Sequence, residues 1–180
     1  AEDAAVASAV DVCADAGVAV PGGEAAIDRI GARLAAAATV LGAEIARLSV
    51  RLVDDAAMRS LHDRHCGIDA TTDVLTFAAA APHEPVDADV ACCVDEAARQ
   101  AARRGHAVDD ELLLYALHGL LHCLGHDDRD PAGFAAMHAE EDRVLAAIGA
   151  AARFASPDRE DPPADAAAGR NGAESVGVDR

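Results

Sequence analysis

The stretch Glu111-Leu-Leu-Leu-Tyr-Ala-Leu-His-Gly-Leu-Leu-His-Cys-Leu-Gly125 decides the fold. It follows the acids Asp109 and Asp110, which are placed to cap a helix, and it stops at a glycine. Its residues are apolar nearly all round, so the helix they predict is central and buried rather than amphipathic. Two polar side chains interrupt it, His118 and His122. They stand four apart, one helical turn, so both imidazoles leave the same face and can reach one ion.

The chain continues from His122 through two residues to Gly125 and two more to Asp128, the pattern H-x3-H-x2-G-x2-D. A helix that ends at Gly125 lets the chain turn back and offer a third ligand. Asp128 is the first candidate and His126 the alternative. In an unbroken helix His126 would lie roughly 12 Å along the axis from His118, too far for one ion. Position 119 is Gly, where HExxH metalloproteases carry the glutamate that serves as general base. A zinc peptidase is therefore disfavoured. Two imidazoles and one carboxylate leave a fourth position open, which suits hydrolysis better than a closed structural site does.

Around this helix the sequence reads as short strands and amphipathic helices. Ala25 to Leu41 predicts a helix stopped by Gly42, and Leu48, Val50 and Leu52 alternate with polar residues as a strand with one wet face. Asp54 or Asp55 can cap a helix through Met58 and Leu61. Asp73 to Phe77 and Asp89 to Val94 read as strands, and Glu96 to Gly105 as a helix. Asp130 and Pro131 open a last helix whose buried stripe is Phe134, Met137, Val144, Leu145 and Ile148, with His138 exposed. The expected fold is α/β (α+β), one small mixed sheet packed with helices and a metal site on a central buried helix.

Composition bounds the rest. Hydrophobic residues make up 52 % of the 180 residues and aromatics only 2 %, so the core is built from many small aliphatic pieces. One domain, residues 1–154, is expected. No apolar run reaches a membrane span and no signal-like segment opens the chain, so a soluble, cytoplasmic protein is expected. The five cysteines form no CxxC pair and read as small buried hydrophobes. All 15 cations are Arg against 32 acids, a net charge of −17 that opposes broad attraction to nucleic acid. Arg99, Arg103 and Arg104 read as a solvated helix face, and Asp73 as a turn cap.

His118-Gly-Leu-Leu-His-Cys-Leu-Gly-His-Asp-Asp128 resembles the HGxLHLxGYDH motif of the YbeY family, and Thr72-Asp-Val-Leu-Thr-Phe77 resembles its PTDVLSFP block. The similarity runs from Leu48 to Ile148. It implies a small α/β zinc-dependent hydrolase, an endoribonuclease of ribosomal RNA maturation with one Zn2+ per chain. Ribosomal RNA and the small ribosomal subunit are the implied partners, with neither membrane nor DNA. Two departures stand out. The family's third histidine aligns with Asp128, and the Arg of its YRGKD segment aligns with Cys66. The second removes a phosphate-pairing guanidinium and keeps an alternative open, a ribosome-assembly binding protein with a structural metal and lapsed catalysis.

Residues 155–180 hold six acids, three Arg and almost no large apolar side chain, so they predict a disordered acidic tail. Deletion of residues 158–180 is expected to leave the melting temperature nearly unchanged. A fall of more than a few degrees in a thermal scan would show that the tail docks.

Overall fold

The structure, a computed structural model, describes residues 9–150 and a two-residue strand at 174–175. The elements run β1 (Val10–Ala14), α1 (Gly23–Leu41), β2 (Ile45–Val53), α2 (Asp55–Cys66), β3 (Val74–Ala78), β4 (Val86–Cys93), α3 (Val94–Arg104), α4 (Val108–Cys123), α5 (Pro131–Ala147) and β5 (Glu174–Ser175). The sheet order is β1-β2-β4-β3-β5. β1, β2 and β4 are parallel, β3 runs antiparallel to β4, and β5 pairs parallel with β3. The sheet is mixed and small, as expected for this α/β fold. Apart from the β5 pair, the expected tail of residues 155–180 lies outside the described residues, as do residues 1–8.

β1 and the two-residue β5 are the elements the sequence analysis missed. Val10 and Val12 alternate with Asp11 and Cys13, but a run this short carries little periodicity. Among the described residues, no helix is long and apolar enough to cross a membrane. Of the cysteines, Cys92, Cys93 and Cys123 are buried as expected, whereas Cys13 is exposed on β1 and Cys66 only half-buried at the end of α2.

α4 lies across the middle of the molecule. Leu112, Leu113, Leu117, Leu120 and Leu121 are almost wholly buried, packed with Leu48, Val50, Leu52 and Val90 of the sheet and Ile30 and Leu34 of α1. Burying a leucine stabilises by about 1.5–3 kcal/mol, so this one helix supplies much of the driving force for folding. Its start differs from expectation. The N-cap is Ala107, and Asp109 and Asp110 sit in the first turn, where they face the positive end of the peptide dipoles. There they bind Arg29 at 3.0 Å and Arg33 at 2.8 Å on α1.

The approach of α4 to the sheet is set at Gly119. A Cβ at that position would stand 2.8 Å from Thr76 Oγ1 and 3.0 Å from Val90 Cγ1, inside contact distance of both. No side chain fits, so the missing glutamate of the peptidase pattern is excluded by space as well as by sequence.

Gly119→Ala is expected to destabilise the protein by about 1–3 kcal/mol, the usual cost of overpacking a tight core. Helix propensity alone would favour Ala by about 1 kcal/mol. Gly31→Ala in α1 is the control, because its Cβ would meet only Val12 at an ordinary 3.6 Å. Urea denaturation of the two variants should give opposite signs. Equal stabilisation by both would mean that α4 does not press on the sheet at Gly119.

Candidate metal centre

His118 and His122 occupy the last two turns of α4, and Asp128 follows in the turn leading to α5. That turn is built locally. Gly125 adopts φ 92°, which side chains rarely tolerate, and a Cβ there would also meet Pro82 at 3.1 Å. The His126 amide then donates to the Leu121 carbonyl at 3.1 Å, closing the helix end. Asp127 accepts from the Arg129 amide and guanidinium, which hold its carboxyl down to about 2. Asp130 caps α5 by accepting from the amides of Ala132 and Gly133.

This path brings three side chains together. His118 Nε2 lies 3.0 Å from His122 Nε2 and 3.5 Å from Asp128 Oδ2, and His122 Nε2 lies 3.8 Å from Asp128 Oδ1. Their side chains are 14 %, 6 % and 12 % exposed, so the group is shielded but reachable. Imidazole and carboxylate donors about 2.0–2.1 Å from one tetrahedral ion stand roughly 3.3 Å apart. The donor set therefore fits a small divalent cation. His126 is not in this group. Its ring lies outside, and its main-chain carbonyl accepts from His122 Nδ1 at 3.0 Å.

The hydrogen bonds decide the tautomers. A carbonyl can only accept, so His122 carries its proton on Nδ1. His118 Nδ1 lies 2.7 Å from Glu141 Oε1, and the other oxygen of that carboxylate, Oε2, lies 2.7 Å from His138 Nδ1. Burial opposes charge on Glu141, but donation from both histidines outweighs it and holds the carboxyl below its ordinary value. An ionised Glu141 accepts from both rings. The two Nε2 atoms are thus left facing each other at 3.0 Å, with Asp128 beside them. At that distance a proton or a metal cation has to lie between them.

Burial works against charging His118, yet Glu141, Asp73 and Asp128 together raise its pKa. Burial and the neighbouring His118 push His122 down.

Glu141 and His138 are the site residues that sequence analysis missed. Glu141 sits fully buried on the inward stripe of α5 between Met137 and Val144, and an acid at an apolar position was the available signal. His138 is half-buried rather than exposed because it bonds Glu141. Phe134, expected in the stripe, is instead 51 % exposed, with its ring edge-on to His138.

Asp73 opens β3 and accepts from the Val74 amide at 2.8 Å and the Thr72 hydroxyl at 3.1 Å, the turn-capping role expected of it. Burial raises its pKa. Cys66 packs with Leu61 and Phe77 on the small cluster of Val53, Met58 and Leu75, away from the three candidate ligands. Arg99, from the face read as solvated, binds Asp55 through both terminal nitrogens at 2.8 Å. Asp55, Cys93 and Asp95 also converge, but Arg99 already neutralises Asp55 and Asp95 accepts the Asp55 amide. Burial pushes the Cys93 thiol up to about 11, so it is no thiolate at neutral pH.

The family model for endoribonuclease YbeY matches residues 24–149. Among curated relatives, endoribonuclease YbeY of Moorella thermoacetica is 40 % identical over 141 residues, covering 72 % of this chain and 90 % of its own. That of Frankia alni is 39 % identical over 145 residues, covering 74 % and 78 %. The solution structure of TM1509 from Thermotoga maritima superposes with a TM-score of 0.52 at 19 % identity, over 83 % of this chain and 99 % of that one, which shows a shared fold. With the family model spanning most of the folded elements and relatives of this identity along nearly their whole length, the chain belongs to the endoribonuclease YbeY family.

Proposed function

We propose that this protein is a metal-dependent endoribonuclease acting in ribosomal RNA maturation, and that one zinc-type ion is held by His118, His122 and Asp128. The observation that carries the metal is the convergence of two imidazole Nε2 atoms at 3.0 Å with a carboxylate beside them. The RNA substrate follows from family membership, and the ribosomal assignment and cytoplasmic location from the resemblance. When bound, such an ion supplies Lewis acidity toward a phosphoryl oxygen and toward water at its open position.

The chain's own residues do the rest. Glu141 fixes the His118 ring and its tautomer through one hydrogen bond, and the His126 carbonyl does the same for His122. Asp128 brings a negative charge where the family motif has a neutral imidazole, so the site is one unit more anionic. That charge makes the ion a weaker acid and moves the working range to higher pH. Gly119 lets α4, which carries the histidine pair, lie close against Thr76 and Val90 of the sheet.

One observation favours the alternative, a ribosome-assembly binding protein with a structural metal. Cys66 supplies no guanidinium, and it is packed among apolar side chains. Metal analysis with a ribonuclease assay of wild type and His122→Ala separates the two, since only the enzyme reading predicts cleavage that is lost with the ion.

Asp128→His is expected to keep its metal and to cleave RNA at least as fast near neutral pH, with an activity profile shifted to lower pH. Asp128→Ala should lose metal affinity by roughly tenfold or more, no less than changes to the groups that orient metal ligands. His126→Ala should change little, because the carbonyl that holds His122 survives. Metal lost in His126→Ala and retained in Asp128→Ala would overturn the ligand assignment.

A further inference from the structure

Gly133 stands at the third position of α5, five residues beyond Asp128. A Cβ built there would run into the main-chain carbonyl oxygen of Asp127, and would also lie 3.2 Å from that carbonyl's carbon and 3.4 Å from Asp130 Oδ2. The obstruction is backbone, which cannot swing aside as the end of a flexible side chain can. The Asp127 carbonyl belongs to the same peptide plane as the Asp128 nitrogen. Any displacement of that carbonyl therefore carries Asp128 with it.

We propose that Gly133 is a positioning residue for the third ligand: having no side chain, it lets the first turn of α5 lie against the Asp127 carbonyl, and this contact aims the Asp128 carboxylate at the two imidazoles. The proposal rests on the ligand reading above. Other ties on the same turn leave it little slack. His126 is held through its amide and carbonyl, Asp127 is bound by Arg129, and Asp130 is locked as the cap of α5. With both flanks fixed, a carbonyl pushed from Gly133 has to move at Asp127 and Asp128. Relieving the overlap takes a shift on the order of 1 Å, several times the ~0.2 Å within which metal–ligand distances are held. Asp has only two side-chain torsions with which to compensate.

Helix propensity points the other way, since Ala is the better residue inside a helix. A loss on Gly133→Ala is therefore diagnostic. The experiment compares full-length wild type, Gly133→Ala, Asp128→Ala and the double variant. Zn2+ affinity is measured by competition with a chromogenic chelator, visible spectra are recorded with Co2+, and folding is followed by circular dichroism without metal. Gly133→Ala is expected to stay folded, to bind Zn2+ roughly tenfold or more weakly, and to give the Co2+ spectrum of Asp128→Ala. The double variant should bind no more weakly than Asp128→Ala alone, because both changes remove the same ligand.

Wild-type affinity in Gly133→Ala beside a weakened Asp128→Ala would overturn the proposal and leave the ligand set intact. Full additivity in the double variant would overturn it as well, by showing that Gly133 acts elsewhere. A Gly133→Ala chain that unfolds as a whole would do the same, since the strain would then not be confined to the turn. If Asp128→Ala itself keeps the ion, the ligand assignment fails and this proposal fails with it.

Discussion

A helix that is apolar nearly all round has to be covered on every side, and the architecture follows from covering α4. The sheet takes one face through β3 and β4, while α1, α3 and α5 take the others. The core is continuous because α4 touches each layer. Gly119 sets the depth of that contact, with Thr76 and Val90 closed over the backbone. A polar row runs along the same buried helix: Glu111, Tyr115, His118 and His122, at near-helical spacing. Buried polar groups favour partners, and Glu111, His118 and His122 have them, whereas the Tyr115 hydroxyl has no hydrogen-bond partner among the described residues. Arg104 and His106 bind Glu111, and Glu141 binds His118.

Much of this was legible in the sequence because it depends on local signals. The central helix, its histidine pair, the Gly125 stop, and the Asp130-Pro131 start of α5 each rest on spacing or capping chemistry within a few residues. What was not legible depends on contacts between distant segments. Asp109 and Asp110 resemble caps, yet their partners are Arg29 and Arg33 some eighty residues earlier in the chain. Glu141 lies 23 residues from the histidine it orients, and only the crossing of α5 over α4 joins them. The choice between His126 and Asp128 was open for a related reason. Both follow the same glycine, and main-chain hydrogen bonding, not ligand chemistry, turns one toward the pair and the other away.

The acidity of the chain has a structural counterpart. Arg47 bridges Asp87 and Asp89, Arg51 binds Asp15, Arg59 binds Asp69, Arg99 binds Asp55, and Arg143 binds Glu140. These pairs join neighbouring strands and helix ends, and being largely exposed each contributes little to stability. Their greater effect is to occupy cations. Guanidinium groups already committed to carboxylates are poor receptors for phosphate, because an incoming phosphate has to displace an ideal bidentate partner. Among the described residues, these committed guanidinium groups offer little basic surface to a polyanion.

On the proposed reading, binding and chemistry are concentrated at the same place. In a basic nuclease, phosphate contacts spread over the surface hold the substrate, and the metal only has to react with it. Here the net charge opposes the approach of RNA, and Cys66 stands where the family motif has an arginine. A cation held by two imidazoles and one carboxylate would carry a net positive charge, a concentrated one amid an acidic surface. It would serve as phosphate receptor as well as Lewis acid. That double duty makes the placement of Asp128 consequential. A carboxylate placed too far off would release the ion that, on this reading, attracts the substrate. On the proposed ligand set, the hydrogen bonds along the turn from Gly125 to Gly133 set where that carboxylate stands.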